Sequence, residues 1–125
     1  MKRTTIIMLA GLTLMLPNIA QGQAVVGTTA TEIRHVTHGW SAERQVLGKP
    51  VFNDANQNIG TIDDVIIGPS KTVSYVIIGT GGFLGLAKHD VAVPIFQLKQ
   101  VNGKFILAGA TKEALKSLPP FEYAH

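Results

Sequence analysis

The sequence GTGGFLGLAKHDVAVP, residues 79–94, joins two β-like runs through a glycine-rich turn. It follows the apolar run at residues 73–78, and its second half is a β-like run that ends at a proline. Glycine adopts a positive φ and permits close backbone approach without steric cost. The four glycines within residues 79–85 therefore predict a tight turn between two strands, carrying the exposed apolar side chains of Phe83 and Leu84.

The same glycines do not form a dinucleotide-binding motif. A G-x-G-x-x-G pattern that began at Gly79 would need glycine where Leu84 stands. Its glycines would also have to open a helix whose N-terminus holds the pyrophosphate. The alternation of Val91, Val93 and Ile95 predicts a strand instead. We therefore interpret the segment as a structural β-turn.

The N-terminal segment has the layout of a secretory signal peptide. A basic pair at residues 2–3 precedes an apolar run at residues 6–16, and small residues follow. Cleavage after Gly22 or after Ala24 satisfies the small-x-small rule. Because the apolar run is shorter than the roughly 20 residues that span a bilayer, we expect residues 1–24 to be removed. The expected location is the periplasm, with no stable membrane anchor; a retained N-terminal anchor is the alternative.

Charge and cysteine content narrow the possible partners. The chain carries 11 Lys+Arg and 8 Asp+Glu, a net charge of +3. Loss of residues 1–24 removes two basic residues and no acidic one, which leaves 9 against 8 and a net charge of +1. Nucleic acid is therefore not an expected partner, since no basic stripe remains. With no cysteine, neither disulfides nor a lipid-modified N-terminal cysteine can form.

A polar linker and one small domain are predicted after the signal peptide. Residues 25–44 are polar and lack clear periodicity, and they include Trp40, which we expect to pack onto the domain. Residues 45–123 form the domain. Its predicted strands and helix occupy residues 46–52, 59–67, 72–78, 90–95, 96–101, 104–108 and, for the helix, 112–118. Short strands separated by turn signals indicate a mainly β fold, a small barrel or sandwich.

The order and spacing of several motifs resemble the PRC-barrel domain family. The motifs are VLGKPV (46–51), IGTIDDV (59–65), YVII (75–78), GFLG (82–85) and DVAVP (90–94). The closing segments ATKEAL (110–115) and PFEY (120–123) resemble the tail of exported, single-domain members. The resemblance covers residues 45–123, the whole predicted domain.

The resemblance implies a six-stranded PRC-type β-barrel with a short C-terminal helix. The family is named for the soluble domain of the photosynthetic reaction centre H subunit and includes a domain of the ribosome maturation factor, and both serve as docking modules. The resemblance implies a non-enzymatic module that binds an unidentified protein partner and needs no cofactor, and the signal-peptide layout places that module in the periplasm. The sequence leaves its oligomeric state open. The alternatives are an accessory subunit of a membrane redox or photosynthetic reaction-centre-like complex and a small-ligand-binding barrel.

The glycine-rich turn supplies the candidate interaction surface. Phe83 and Leu84 would form an apolar anchor, and Lys88, His89 and Asp90 would form its polar rim. In the alternative, Phe83 folds back and closes one end of the barrel as a core residue.

A calcium loop is excluded by two positions. Asp54, Asn56 and Asn58 alternate like the first ligands of an EF-hand. The sixth position of that loop should be glycine and the twelfth glutamate, yet Ile59 and Val65 stand there. The segment is therefore predicted to be a turn rich in Asn and Asp.

Two further pairs of polar residues carry no predicted chemistry. Asp63 and Asp64 are neighbours on a strand, and we expect them to point to opposite faces of the sheet. His35 and His38 would need a helical turn to come together, and the surrounding sequence does not favour a helix. The sequence therefore predicts no catalytic, cofactor-binding or metal-binding residue.

Overall fold

The computed structural model describes residues 26–81 and 88–124 of the chain. The predicted signal peptide at residues 1–24 lies outside the described residues, as do Phe83 and Leu84. The chain divides into two compact units, Met1–Gly39 and Trp40–His125.

The described part of the first unit contains one short helix, α1, at Ala30–Val36. The expectation that no helix forms near His35 was wrong. A capping box begins the helix: Thr29 Oγ1 accepts from the backbone N–H of Glu32, and Glu32 Oε1 accepts from that of Thr29. Because these two bonds satisfy amides that a helix start leaves unpaired, they favour a helix that the polar composition does not suggest. His38 forms a hydrogen bond with this helix, in which its Nδ1 lies 2.7 Å from the carbonyl oxygen of Arg34.

The second unit is built on a six-stranded sheet, which confirms the mainly β prediction. The strands are β1 (Pro50–Phe52), β2 (Asn58–Ile67), β3 (Ser74–Gly81), β4 (Lys88–Pro94), β5 (Lys99–Val101) and β6 (Lys104–Ile106). Their order in the sheet is β4-β3-β2-β1-β6-β5. The β1–β6 pair is parallel and the other neighbours are antiparallel. A short helix, α2, follows at Lys112–Lys116.

Three strands are shorter than the sequence predicted: β6 ends at Ile106 instead of residue 108, and local helical turns delay the start of β1 and β5. Residues Ala42–Val46 form a π-helical turn, so that β1 begins at Pro50. Ser41 caps this turn, and the amide of Leu47 donates to the carbonyl of Ala42 at 2.8 Å. A 3₁₀ turn at Ile95–Gln97 likewise delays the start of β5. In both places no strand is paired with the segment. The hydrogen bonds of a local helical turn satisfy its backbone groups instead.

The hairpin turn and the helix start that were predicted in the C-terminal half are confirmed. Asn102 and Gly103 both have positive φ, 51° and 79°, as the two central residues of a tight hairpin turn require. Thr111 caps α2 by accepting from the amide of Ala114 at 2.9 Å. Residues after α2 continue to Ala124 without helix or strand.

The strands of the sheet pack around a shared apolar core. Its buried members come from β1 to β4, β6, α2 and the intervening turns: Val46, Val51, Ile59, Ile62, Val76, Ile78, Val91, Val93, Leu98, Phe105, Leu107 and Leu115. Phe105 is the largest fully buried side chain among them. Trp40 packs edge-on against Phe105 with ring centroids 4.9 Å apart, which confirms that the tryptophan docks onto the domain.

The loop between β1 and β2 is organised by the buried side chain of Asn53. Its Oδ1 accepts from the amides of Ala55 and Gln57, at 3.0 and 2.9 Å. Its Nδ2 donates to the carbonyl of Ala110 at 2.9 Å and to the side chain of Gln57 at 3.0 Å. Asn56 adopts a φ of 62° in this loop. The prediction of a turn shaped by Asn and Asp side chains is therefore confirmed.

Candidate functional site

The predicted rim residues, Lys88, His89 and Asp90, are the first three residues of strand β4. Most of their polar groups contact other groups of the same domain. Lys88 Nζ lies 2.5 Å from Asp63 Oδ2 and 3.8 Å from Asp90 Oδ1. His89 Nε2 lies 3.0 Å from the carbonyl oxygen of Leu118. The structure thus brings Lys88 and Asp90 together on β4 and adds Asp63, which the sequence reasoning had placed in no site.

A β-bulge in β2 turns two neighbouring carboxylates to one face of the sheet. Ile62 pairs with Ile78, but the next pair is Asp64 with Ile77, so Asp63 is the extra residue. Asp63 reaches Lys88 across β3, and Asp64 accepts a hydrogen bond from Tyr123. The expectation that the two aspartates point to opposite faces was wrong, because a bulge inserts one residue and breaks the strict alternation. We call this side of β2, β3 and β4, which faces away from the core, the outer face.

Gly79 makes room for the charged cluster on the outer face. A Cβ atom at this position would lie 2.5 Å from Lys88 Cε and 2.9 Å from Asp90 Oδ1, and would also clash with the Asp63 carboxylate. A side chain at this position would therefore displace the ends of the Asp63, Lys88 and Asp90 side chains, while the φ of Gly79 itself lies outside the positive range. The bare backbone of β3 leaves the space in which the lysine bridges β4 and β2.

The C-terminal segment crosses the outer face next to these charges. The amide of Phe121 donates to the carbonyl of Asp90 at 2.7 Å. The Phe121 and Tyr123 rings meet edge to face, with centroids 4.9 Å apart. The Tyr123 hydroxyl then donates to the carboxylate of Asp64. The motif PFEY therefore places two aromatic rings, two positions apart in sequence, on the sheet, and so extends the outer face with apolar surface.

An apolar groove lies beside this segment. It has a volume of about 320 Å³ and its lining is mostly apolar: Ile66, Gly68, Pro69, Tyr75, Ile77, Ala92 and Phe121. Ile77 is buried although it belongs to this face and not to the interior core. We call this concavity the outer-face groove. Sequence reasoning missed it, although the spacing of Tyr75 and Ile77 on β3 already places both side chains on one face.

The charged end of the outer face is net negative. Three carboxylates, those of Asp63, Asp64 and Asp90, are accompanied by the single ammonium of Lys88, which gives a formal charge of −2. The hydrogen bond to Asp63 and the nearby negative charges raise the pKa of Lys88. The hydrogen bond to Asp64, burial and the surrounding carboxylates raise the pKa of Tyr123. Both groups therefore remain protonated at neutral pH.

We expect the stability of the domain to fall at alkaline pH. Raised pKa values of Lys88 and Tyr123 mean that folding favours their protonated forms. Their contribution is complete below the ordinary values, 10.5 and 10.0, and is lost as the pH rises through the folded-state values. Melting temperatures measured between about pH 8 and 12 should therefore decline, and Tyr123→Phe should flatten part of that decline. A parallel decline in both proteins would contradict the role assigned to the tyrosine.

Within residues 26–81 and 88–124, no group of three or more His, Asp or Glu side chains is arranged to hold a metal ion. No helix in this part of the chain is both long enough and apolar enough to cross a membrane.

The fold and the sequence agree on the class of protein. The domain contains a six-stranded, mixed β-sheet, a shared apolar core and a short terminal helix. A protein-family model, that of the PRC-barrel domain, matches residues 42–114, which is more than half of the chain. The chain belongs to the PRC-barrel family. A comparison with curated proteins found no significant match.

Proposed function

We propose that this PRC-barrel protein is a non-enzymatic module that is exported to the periplasm and binds another protein. Relatives that the sequence resembles use the barrel for docking, which supports a binding role. The signal-peptide layout of residues 1–24 supports export.

The outer-face groove is the observation that carries the binding proposal. The core side chains fill the interior of the domain, whereas the groove leaves an apolar surface open on the other side of β3. Tyr75 and Phe121 line it, and aromatic residues are enriched where protein partners bind. A concave apolar surface beside polar groups is typical of an interaction site.

The pKa directions of Lys88 and Tyr123 give no sign of acid–base catalysis by these two groups. Efficient acid–base catalysis needs a group whose pKa lies near the working pH. The pKa values of Lys88 and Tyr123 are instead raised away from neutrality. Neither group is thereby activated as a base or nucleophile at neutral pH.

Site-specific cross-linking tests the binding role. A photoreactive amino acid placed at Ala92, which lines the groove and is exposed, should cross-link a discrete envelope protein in living cells. The same residue placed at Ala55, exposed in the β1–β2 loop, is the matched control and should give no such product. No product from Ala92, or identical products from both positions, would contradict docking at the groove.

The same cells test the export proposal. We expect the tagged protein in the periplasmic fraction, with a mature N-terminus near Gln23 or Val25. Recovery of intact Met1 in the membrane fraction would instead support a retained anchor. If the cross-linked partner proved to be a membrane redox or photosynthetic complex, the protein would be its accessory subunit.

A small-ligand role is the second candidate, favoured by one observation. Thr80 is 2% exposed, and its Oγ1 has no hydrogen-bond partner in the described part of the chain. It borders a polar cleft that is also lined by Asn58, Thr61 and Lys112. A buried hydroxyl without a partner is costly unless a ligand or water completes it. A metabolite that raises the melting temperature of the wild type but not of Thr80→Val would favour this candidate.

A further inference from the structure

We propose that the outer-face groove binds an extended segment of the partner that carries an aromatic or large aliphatic anchor and, close to it, a lysine or arginine. This inference rests on the proposed docking function and specifies the chemistry of the partner. It is carried by three observations: the position of the C-terminal segment, the shape of the groove, and the charge beside it.

The protein's own C-terminal segment, which has neither helix nor strand, shows how a chain segment lies on this face. The backbone of Phe121 bonds to that of Asp90, and its ring forms part of the groove wall. Two residues later, Tyr123 donates a hydrogen bond to Asp64. The two rings meet with centroids 4.9 Å apart, so both side chains lie on the same side of the segment. The face therefore already receives one apolar group and one donor at that spacing.

The groove next to this segment suits one further apolar side chain. Its walls are Ile66, Tyr75 and Ala92, and its volume is about 320 Å³. An aromatic or branched aliphatic side chain that enters it removes its own apolar surface and that of the walls from water. Such burial stabilises binding by roughly 25 cal/mol per Å² of apolar area before entropic costs are subtracted.

The charge of the neighbouring cluster selects a cation. Asp63 and Asp90 are part-exposed, with 28% and 33% of their side chains accessible. Asp90 Oδ1 is itself buried and lies 3.8 Å from the ammonium of Lys88, so the accessible part of Asp90 is the rest of its side chain. Three carboxylates face one ammonium, so these side chains leave a formal charge of −2. A lysine or arginine near the anchor would offset part of this charge, whereas an acidic segment would be repelled.

A displayed library of random peptides, panned against the purified protein, tests the proposal. Enriched peptides should share an aromatic or large aliphatic residue with a lysine or arginine within a few positions. Their affinity should fall as salt is raised, because the charge pairs are near the surface. Enrichment of acidic peptides, of peptides without a basic residue, or of none at all would overturn the proposal.

Two pairs of variants locate the binding. Ala92→Arg fills the groove from an exposed position and should weaken the selected peptides by at least about tenfold, whereas Ala55→Arg should not. Asp90→Asn should weaken them several-fold and reduce their salt dependence, whereas Glu113→Gln should change neither. Peptides that bind equally to all four variants would place the site elsewhere and overturn the proposal.

The two experiments separate the two proposals. A partner cross-linked through Ala92 together with a library that selects no basic peptides would retain docking and refute the partner chemistry. A different outcome is a library that selects basic, apolar peptides whose binding is abolished by Ala92→Arg. The groove chemistry then holds, even if cells of different strains give different cross-linked partners.

Discussion

Replacement of Phe105 by alanine should lower the free energy of unfolding by about 3–5 kcal/mol. The ring is 1% exposed, and Phe105 pairs with Val51 of β1 and Gln100 of β5. It also supports Trp40, whose ring meets it edge-on. Truncation would remove this apolar area and leave a cavity that strands paired on both sides cannot close. Urea unfolding, followed by the fluorescence of the single tryptophan, would measure the loss.

Phe96→Ala is the matched control for this prediction. Phe96 lies in the 3₁₀ turn and is 74% exposed, so its truncation should change stability by less than about 0.5 kcal/mol. The chemical change is identical in the two variants, and only burial differs. Equal unfolding midpoints for both would show that Phe105 does not form the centre of the core.

Asn53→Ala should cost about 3 kcal/mol, the second largest effect that we expect. The side chain is 3% exposed and makes four hydrogen bonds. Its removal would leave the amides of Ala55 and Gln57 and the carbonyl of Ala110 without these partners. The bond to Ala110 also joins the β1–β2 loop to the segment before α2, 57 residues away in sequence. Thermal unfolding would measure the effect.

Asn58→Ala provides the comparison for Asn53. Asn58 is exposed, and its side chain accepts one hydrogen bond, from the amide of Gly60 at 3.0 Å. Water can replace that bond, so we expect a cost below about 1 kcal/mol. If the Asn58 variant proved as unstable as the Asn53 variant, the number and burial of the hydrogen bonds would not explain the role of Asn53.

The outer face explains why the C-terminal motif PFEY accompanies this domain. Phe121 attaches the tail to β4 through one backbone hydrogen bond, and Tyr123 attaches it to β2 through one side-chain hydrogen bond. The two rings also pack against each other within the tail. The tail covers part of the sheet and leaves the groove beside Tyr75 open. A segment without helix or strand thus shapes the binding surface that we propose.

The residues of the predicted polar rim contact other groups of the domain, and their role at an interaction surface stays a prediction. Lys88 and Asp90 do lie together, but Lys88 is engaged with Asp63, and His89 contacts the carbonyl of Leu118. Phe83 and Leu84, the predicted anchor, lie outside the described residues, so that their role as an interaction surface stays a prediction.

Local chemistry alone was sufficient to predict much of this protein. Alternating and continuous apolar runs predicted the strands, the Asn102-Gly103 pair predicted a hairpin, and Thr111 predicted the start of a helix. Each of these features depends on residues close in sequence, through side-chain period, positive φ or a capping bond. The family, too, followed from short motifs in a recognisable order.

Tertiary structure alone decided the outer face. The bulge that turns Asp63 and Asp64 to one side depends on the register between β2 and β3, which no local pattern specifies. Side chains from two other strands meet above Gly79, and two of them, Asp63 and Asp90, are 16 and 11 positions away in sequence. The hydrogen bond from Tyr123 to Asp64 joins residues 59 positions apart in sequence. Such contacts form only when the strands have assembled on their core, so the sequence supplies their chemistry and the fold supplies their proximity.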